Sequence, residues 1–154
     1  MAGMNSEQMR EYFVDLGMGK SLVDRGVAVA EEISKLLAEP VEHVFVSEYR
    51  DDGGNRYYEN LWLFTERYVS EAQSFIGSDV FDVVPVRLGL ARIEVSHEHF
   101  DFDTPSEQSR LAVGISFSTS GSAGITGQLK ASGENCAMLS TILRVHLMKL
   151  LRGE

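Results

Sequence analysis

The sequence has a single cysteine, Cys136, among 154 residues. No disulfide can form within the chain, which excludes the small disulfide-stapled scaffolds and favours a reducing compartment. Basic residues are scarce: 14 Lys and Arg stand against 23 Asp and Glu, for a net charge of −9. Nucleic acid is held mainly by neutralising its phosphates, and anionic membrane attracts the same charges, so both are disfavoured as partners. No apolar run approaches the roughly 18–20 residues that a membrane helix needs. The first residues, Met-Ala-Gly-Met-Asn-Ser-Glu, lack a basic stretch before an apolar core, so no signal peptide is expected and the expected location is cytoplasmic.

What remains is an ordinary soluble composition, 44% hydrophobic and 24% charged. A chain of this length buries roughly 68–70% of its unfolded surface without a disulfide or metal. Acidic excess runs through residues 1–60, with 12 acids and 6 bases, and through 61–134, with 10 and 5; only residues 135–154 are net positive, with 3 bases and 1 acid.

Met9, Tyr12, Phe13 and Leu16 recur at helical spacing, with Ser6 placed to cap the first turn. Gly17 and Gly19 end that pattern. A second helix is expected over 21–38, with Leu22, Val29, Ile33 and Leu36 on one face and Pro40 ending it. From Val41 the period changes to two. Strands are expected over 44–49, 57–64 and 68–75, the first two joined by the turn signal Asp51-Asp-Gly-Gly. Residues 81–95 read as extended, with Pro85 demanding an edge or bulge. Phe100 and Phe102 suggest another strand. Leu111, Val113, Ile115 and Phe117 alternate with small or polar residues, as a strand with one buried face does. A last strand is expected over 125–131, and a helix over 134–151 with Met138, Leu139, Ile142, Val145 and Leu150 in one stripe. Arg144, Lys149 and Arg152 near its end suit the helix dipole.

The stretch Leu61-Trp-Leu-Phe64 is apolar at four consecutive positions, so this strand is expected to be covered on both faces, by helices or by a second subunit.

About seven strands with one amphipathic helix after them is the order of the pleckstrin-homology (PH) fold. Asn60-Leu-Trp-Leu-Phe-Thr-Glu-Arg-Tyr-Val resembles the strand–turn–strand of bacterial PH-like domains. Phe81-Asp-Val-Val-Pro-Val-Arg, leading to Ile93-Glu-Val, resembles the approach to the next strands of those domains. The resemblance spans about residues 41–151. It implies an α+β fold: a seven-stranded bent antiparallel sheet, or partly open barrel, with a C-terminal capping helix. Residues 1–40 would add a helical hairpin packed on the same domain and residues 41–154 the PH-like part, one compact unit overall. It also implies a non-catalytic binding or assembly module, for a protein partner or for self-association. Fold alone does not choose among these.

In lipid-binding PH domains a basic cluster lies around the first two strands. Arg50 and Arg56 occupy that region, amid Glu48, Asp51 and Asp52, which makes a poor inositol-phosphate pocket. Arg50, Arg56 and Arg67 are the candidate binding residues, with protein contact as their role. The metal candidates are His97, His99, Asp101 and Asp103, which would share one face of a strand; the same ladder is also what a solvated, pairing-resistant edge looks like. Gly17-Met-Gly-Lys-Ser21 lacks the first glycine of a phosphate loop and comes after a helix, so it reads as an interhelical turn with an N-cap. Cys136 and Ser140, with His146 as a base, are the only nucleophile candidates, and no nucleophile elbow surrounds a serine. No catalytic constellation stands out and no cofactor is expected. The alternatives are a small acidic chaperone or adaptor, of a class with a helix between its strands, and a small-ligand-binding α+β protein.

Overall fold

Asn5 begins the first helix rather than Ser6. In the computed structural model, which describes residues 3–75, 80–87, 90–99, 108–119 and 122–152, the Asn5 side chain accepts from the Gln8 amide at 2.8 Å and Gln8 returns the contact to the Asn5 amide at 2.9 Å. This is a capping box, and it starts α1, Ser6–Asp15. Ser6 becomes the first helical residue, and its hydroxyl donates to Glu31 at 2.8 Å. Helix α2, Lys20–Leu37, starts from Gly19 without a side-chain cap and ends at Ala38 in the left-handed conformation, φ 54°. Pro40 comes two residues later, as a helix stop requires.

The buried stripe of α2 is Val23, Gly26, Val27, Ala30 and Ile33, with Val29 beside it. Leu36, expected on this face, is 72% exposed. The expectation failed because it followed large apolar side chains, whereas the contact is centred on a glycine. A Cβ at Gly26 would lie 2.7 Å from the fully buried Phe13 ring, so the missing side chain is what lets α1 approach α2.

Seven strands lie among the described residues: β1 His43–Arg50, β2 Arg56–Phe64, β3 Tyr68–Gln73, β4 Asp82–Arg87, β5 Leu90–Glu98, β6 Arg110–Thr119 and β7 Ser122–Ser132. The fold is α+β. The strands form two antiparallel sheets, ordered β1-β2-β3-β4 and β5-β6-β7, and do not close into a barrel. A single bent sheet was expected, with residues 81–95 as one extended run. That run is two strands, and Pro85 lies in β4 at the edge of the first sheet, opposite Ser70. Lacking an N–H, it is suited to a strand that ends a ladder. The strand expected at Phe100 and Phe102 lies outside the described residues.

The chain divides into two compact units, Met1–Phe45 with Asn60–Arg87 and Val46–Glu59 with Leu88–Glu154. In the first, Leu61, Trp62, Leu63 and Phe64 are all buried, as four consecutive apolar residues require of a strand covered on both faces. Their register is Leu61 opposite Ala72 and Phe64 opposite Val69. The helical hairpin meets this part of the chain through Arg25, whose guanidinium carbon lies 4.6 Å from the Phe81 ring centre and 5.6 Å from that of Phe75. The two rings meet edge-on at 6.0 Å.

In the second unit, β6 alternates as its sequence demands. Leu111, Val113 and Ile115 are buried, while Ala112, Gly114 and Ser116 are only partly covered. The C-terminal helix, α3 Asn135–Thr141, packs on β6 and β7. It continues through a π-helical segment, Ile142–Leu147, into α4, Met148–Leu151. The π segment overturns the expected stripe. Its wider i→i+5 turn buries Ile142, Leu143, His146 and Leu147, and turns Val145 out to 58% exposure.

Candidate binding site

The second unit holds a dense polar cluster, and it starts from an anomaly of alternation. Val44, Val46 and Glu48 share one side of β1, so the carboxylate continues inward after two valines. The Glu48 side chain is fully buried. Its Oε1 accepts from the Ser132 amide at 2.9 Å and from the Ser132 hydroxyl; its Oε2 lies 3.1 Å from Arg56 Nε. Arg50 Nε donates to the same Ser132 hydroxyl at 2.9 Å. Neighbouring side chains complete the seam: Ser47 accepts from the Lys130 amide at 3.0 Å, and Asn135 donates to the Val46 carbonyl at 2.9 Å. A buried charge is tolerable only when paired and hydrogen-bonded in this way.

Arg50 and Arg56 are therefore brought together, but they serve the buried Glu48–Ser132 pair. Arg67 lies in the other unit. Its amide donates to Glu39 Oε1 at 3.1 Å and its guanidinium pairs with Glu39 Oε2. Burial works to raise the Glu39 carboxyl, but hydrogen bonds from Thr65 and Arg67 outweigh it and hold the group below the ordinary glutamate range. This pair fixes the Phe64-Thr-Glu-Arg67 turn, where Thr65 also accepts from the Tyr68 amide at 3.1 Å.

Beside Glu48 the second unit has an open groove of about 390 Å³, with Tyr49, His97, Arg110, Ala112 and Lys130 among its walls. Tyr49 stacks on Tyr57, ring centres 5.0 Å apart, and Lys130 Nζ lies 5.6 Å over the Tyr49 ring. Lys130 also pairs with Glu59 at 2.9 Å. The Tyr57 hydroxyl donates to Asp51 at 3.2 Å; the negative Asp51 raises the Tyr57 pKa, while bonds from Asn55 lower that of Asp51. Of the aromatics between residues 57 and 75, Tyr57 is exposed, Tyr58 and Tyr68 are half-buried, and Trp62, Phe64 and Phe75 are core. Sequence reasoning weighs Glu48 only as an acid spoiling a basic cluster and passes over Lys130 and Ser132. The signal for Glu48 is its parity with Val44 and Val46. Ser132 and Lys130 have none, because they meet Glu48 and Tyr49 only through the fold.

The expected histidine–aspartate ladder does not run on as one strand. His97 belongs to β5, which ends at Glu98, and His99 takes a positive φ of 47°, which breaks the two-residue alternation. Asp101 and Asp103 lie outside the described residues. Among the described residues no three His, Cys, Asp or Glu side chains are grouped as a metal would need.

Cys136, Ser140 and His146 are all buried. The Cys136 thiol donates to the Ser109 carbonyl at 3.6 Å. Burial first, and the charge of Glu48 second, push its pKa up to about 11. A thiol so held is a poor nucleophile, since the thiolate is the reactive form.

Among the described residues the second sheet ends at β5, which α4 also contacts. In the order β5-β6-β7 strand β5 is terminal, and of its side chains from Arg92 to Glu98 all are exposed except the half-buried Ile93. Among the described residues no helix is long and apolar enough to cross a membrane. No protein-family model, no curated protein and no solved structure matches this chain.

Proposed function

We propose that the chain is a non-catalytic binding and assembly module of PH-like type, acting through contact with protein, either a partner or a further copy of itself. Among the described residues, seven strands with one C-terminal helix after them support the PH-like reading, as does the Phe64-Thr-Glu-Arg67 turn between β2 and β3. The engagement of Arg50 and Arg56 with Ser132 and Glu48 argues against a site for inositol phosphates. Among the described residues no helix lies between β1 and β7, which counts against the chaperone class with a helix among its strands.

The observation that carries the reading is the place of β5 at the end of its sheet among the described strands, with exposed side chains from Glu94 to Glu98. An edge strand offers a row of backbone N–H and C=O groups to another chain, and proteins that need no such contact cover or blunt it. Size-exclusion chromatography with light scattering, run across a concentration series, tests the assembly form. Association that slows amide exchange within residues 90–98 is the expected result. A strict monomer whose β5 amides exchange equally at low and high concentration would remove that form of the reading.

One observation favours a second reading, a small-ligand binder. The groove beside Tyr49 has a volume within the roughly 300–1,000 Å³ of small-molecule sites. Small aromatic carboxylates that shift the NMR signals of Ala112 and Lys130 would support it.

A further inference from the structure

The β5 edge is long and chemically self-complementary. Strand β5, Leu90–Glu98, contains neither proline nor glycine, whereas β4, the edge of the other sheet, carries Pro85. Arg92 and Glu94 form an ion pair, which places both side chains on one face together with Ser96 and Glu98. Ile93, Val95 and His97 alternate with them, and Val95 is 43% exposed.

We infer that β5 is a self-pairing edge: a second copy of this chain adds to it antiparallel, about a two-fold axis through Val95. Arg92 of each copy then faces Glu98 of the other. The inference rests on the assembly form of the proposed function.

Symmetry restricts the choice of register. Extending an antiparallel sheet by a two-fold requires an axis perpendicular to the sheet, which keeps each side chain on its own face. Opposed residues must then have the same parity, so one residue always faces its own copy. A centre at Glu94 opposes two carboxylates directly. A centre at Ser96 sets Glu94 against Glu98, again like against like. A centre at Ile93 pairs Arg92 with Glu94, but leaves His97 and Glu98 without opposing residues inside β5. A centre at His97 leaves Arg92 beyond the paired segment. Among the centres that oppose no like charges, only the one at Val95 matches all seven residues 92–98 within the strand. One face then carries two Arg92–Glu98 pairs and two Glu94–Ser96 pairs; the other carries Val95 against Val95, flanked by Ile93 against His97. The product is a continuous six-stranded sheet with no like charges opposed.

Sedimentation of the full chain tests this. Arg92→Glu and Glu98→Arg should each raise the dimer dissociation constant roughly ten-fold, because each turns two attractive cross-strand pairs repulsive. The double variant Arg92→Glu/Glu98→Arg should restore dimerisation. Val95→Cys should give a disulfide-linked dimer on mild oxidation and Ser96→Cys should not, since only the first sets the two cysteines directly opposite. Emission from the lone, buried Trp62 reports whether each variant is folded. A monomer at every concentration overturns the inference and the self-association form of the function with it. A dimer indifferent to both charge reversals and to Val95→Cys overturns the inference alone and leaves assembly standing. Rescue by Arg92→Glu/Glu94→Arg instead moves the axis to Ile93, and overturns the register proposed.

Discussion

Two buried titratable residues illustrate how environment, not identity, sets behaviour. Cys136 is enclosed and its thiol pushed up to about 11, so at pH 8 only roughly one molecule in a thousand carries the thiolate. An aromatic disulfide reagent should label the native protein slowly at pH 8 and at the ordinary rate in guanidinium chloride; fast native labelling would contradict the enclosure. Glu39 moves the other way. Its folded pKa lies below the ordinary value of 4.5, because Thr65 and Arg67 stabilise the carboxylate against the penalty of burial. Such a group contributes stability that is complete above the unfolded pKa and is lost as pH falls through the folded one. Glu39→Gln should therefore lower the Tm at pH 7, and the gap to the natural protein should close as pH drops below 4.5 towards the folded value. A gap that stays constant with pH would deny the pair its electrostatic role.

At the scale of elements, packing overrides pattern at two places. The α1–α2 crossing depends on Gly26, where a Cβ would meet the buried Phe13 ring at 2.7 Å and 2.9 Å. Gly26→Ala would gain helix propensity on an exposed face, but here it overpacks the crossing, at a cost of about 1–3 kcal/mol. Chemical denaturation monitored by Trp62 fluorescence measures this, and a stabilised variant would show that the ring yields freely. The other place is the C-terminal helix. The apolar residues of 138–150 are compatible with an ordinary α stripe, and nothing local announces the π turn at Ile142–Leu147. It is the tertiary environment that buries Ile142, Leu143, His146 and Leu147 together and leaves Val145 outside. By contrast, the strand Arg56–Phe64, the edge position of Pro85 and the alternation of β6 were legible, because each derives from side-chain period or from a missing amide.

At the scale of the molecule, charge is the dominant property. A net −9 repels polyanions, and Arg50 and Arg56 are already bonded to Ser132 and Glu48. Vesicles containing phosphatidylinositol phosphates should leave the protein in the supernatant at about 0.1 M salt, where charges still act over a Debye length of about 10 Å. Co-sedimentation that salt reverses would reopen the lipid reading. The sequence by itself determined the acidic balance, the absence of an internal disulfide, the mixed helix-and-strand composition and the double-sided burial of Leu61–Phe64, because these depend on counts and on local period. Only the tertiary structure decided that the described strands divide into sheets of four and three, that Glu48 is buried against Ser132, and that β5 ends its sheet among them. Those outcomes depend on which distant segments meet: Glu48 and Ser132 are 84 positions apart, and no local pattern encodes their encounter.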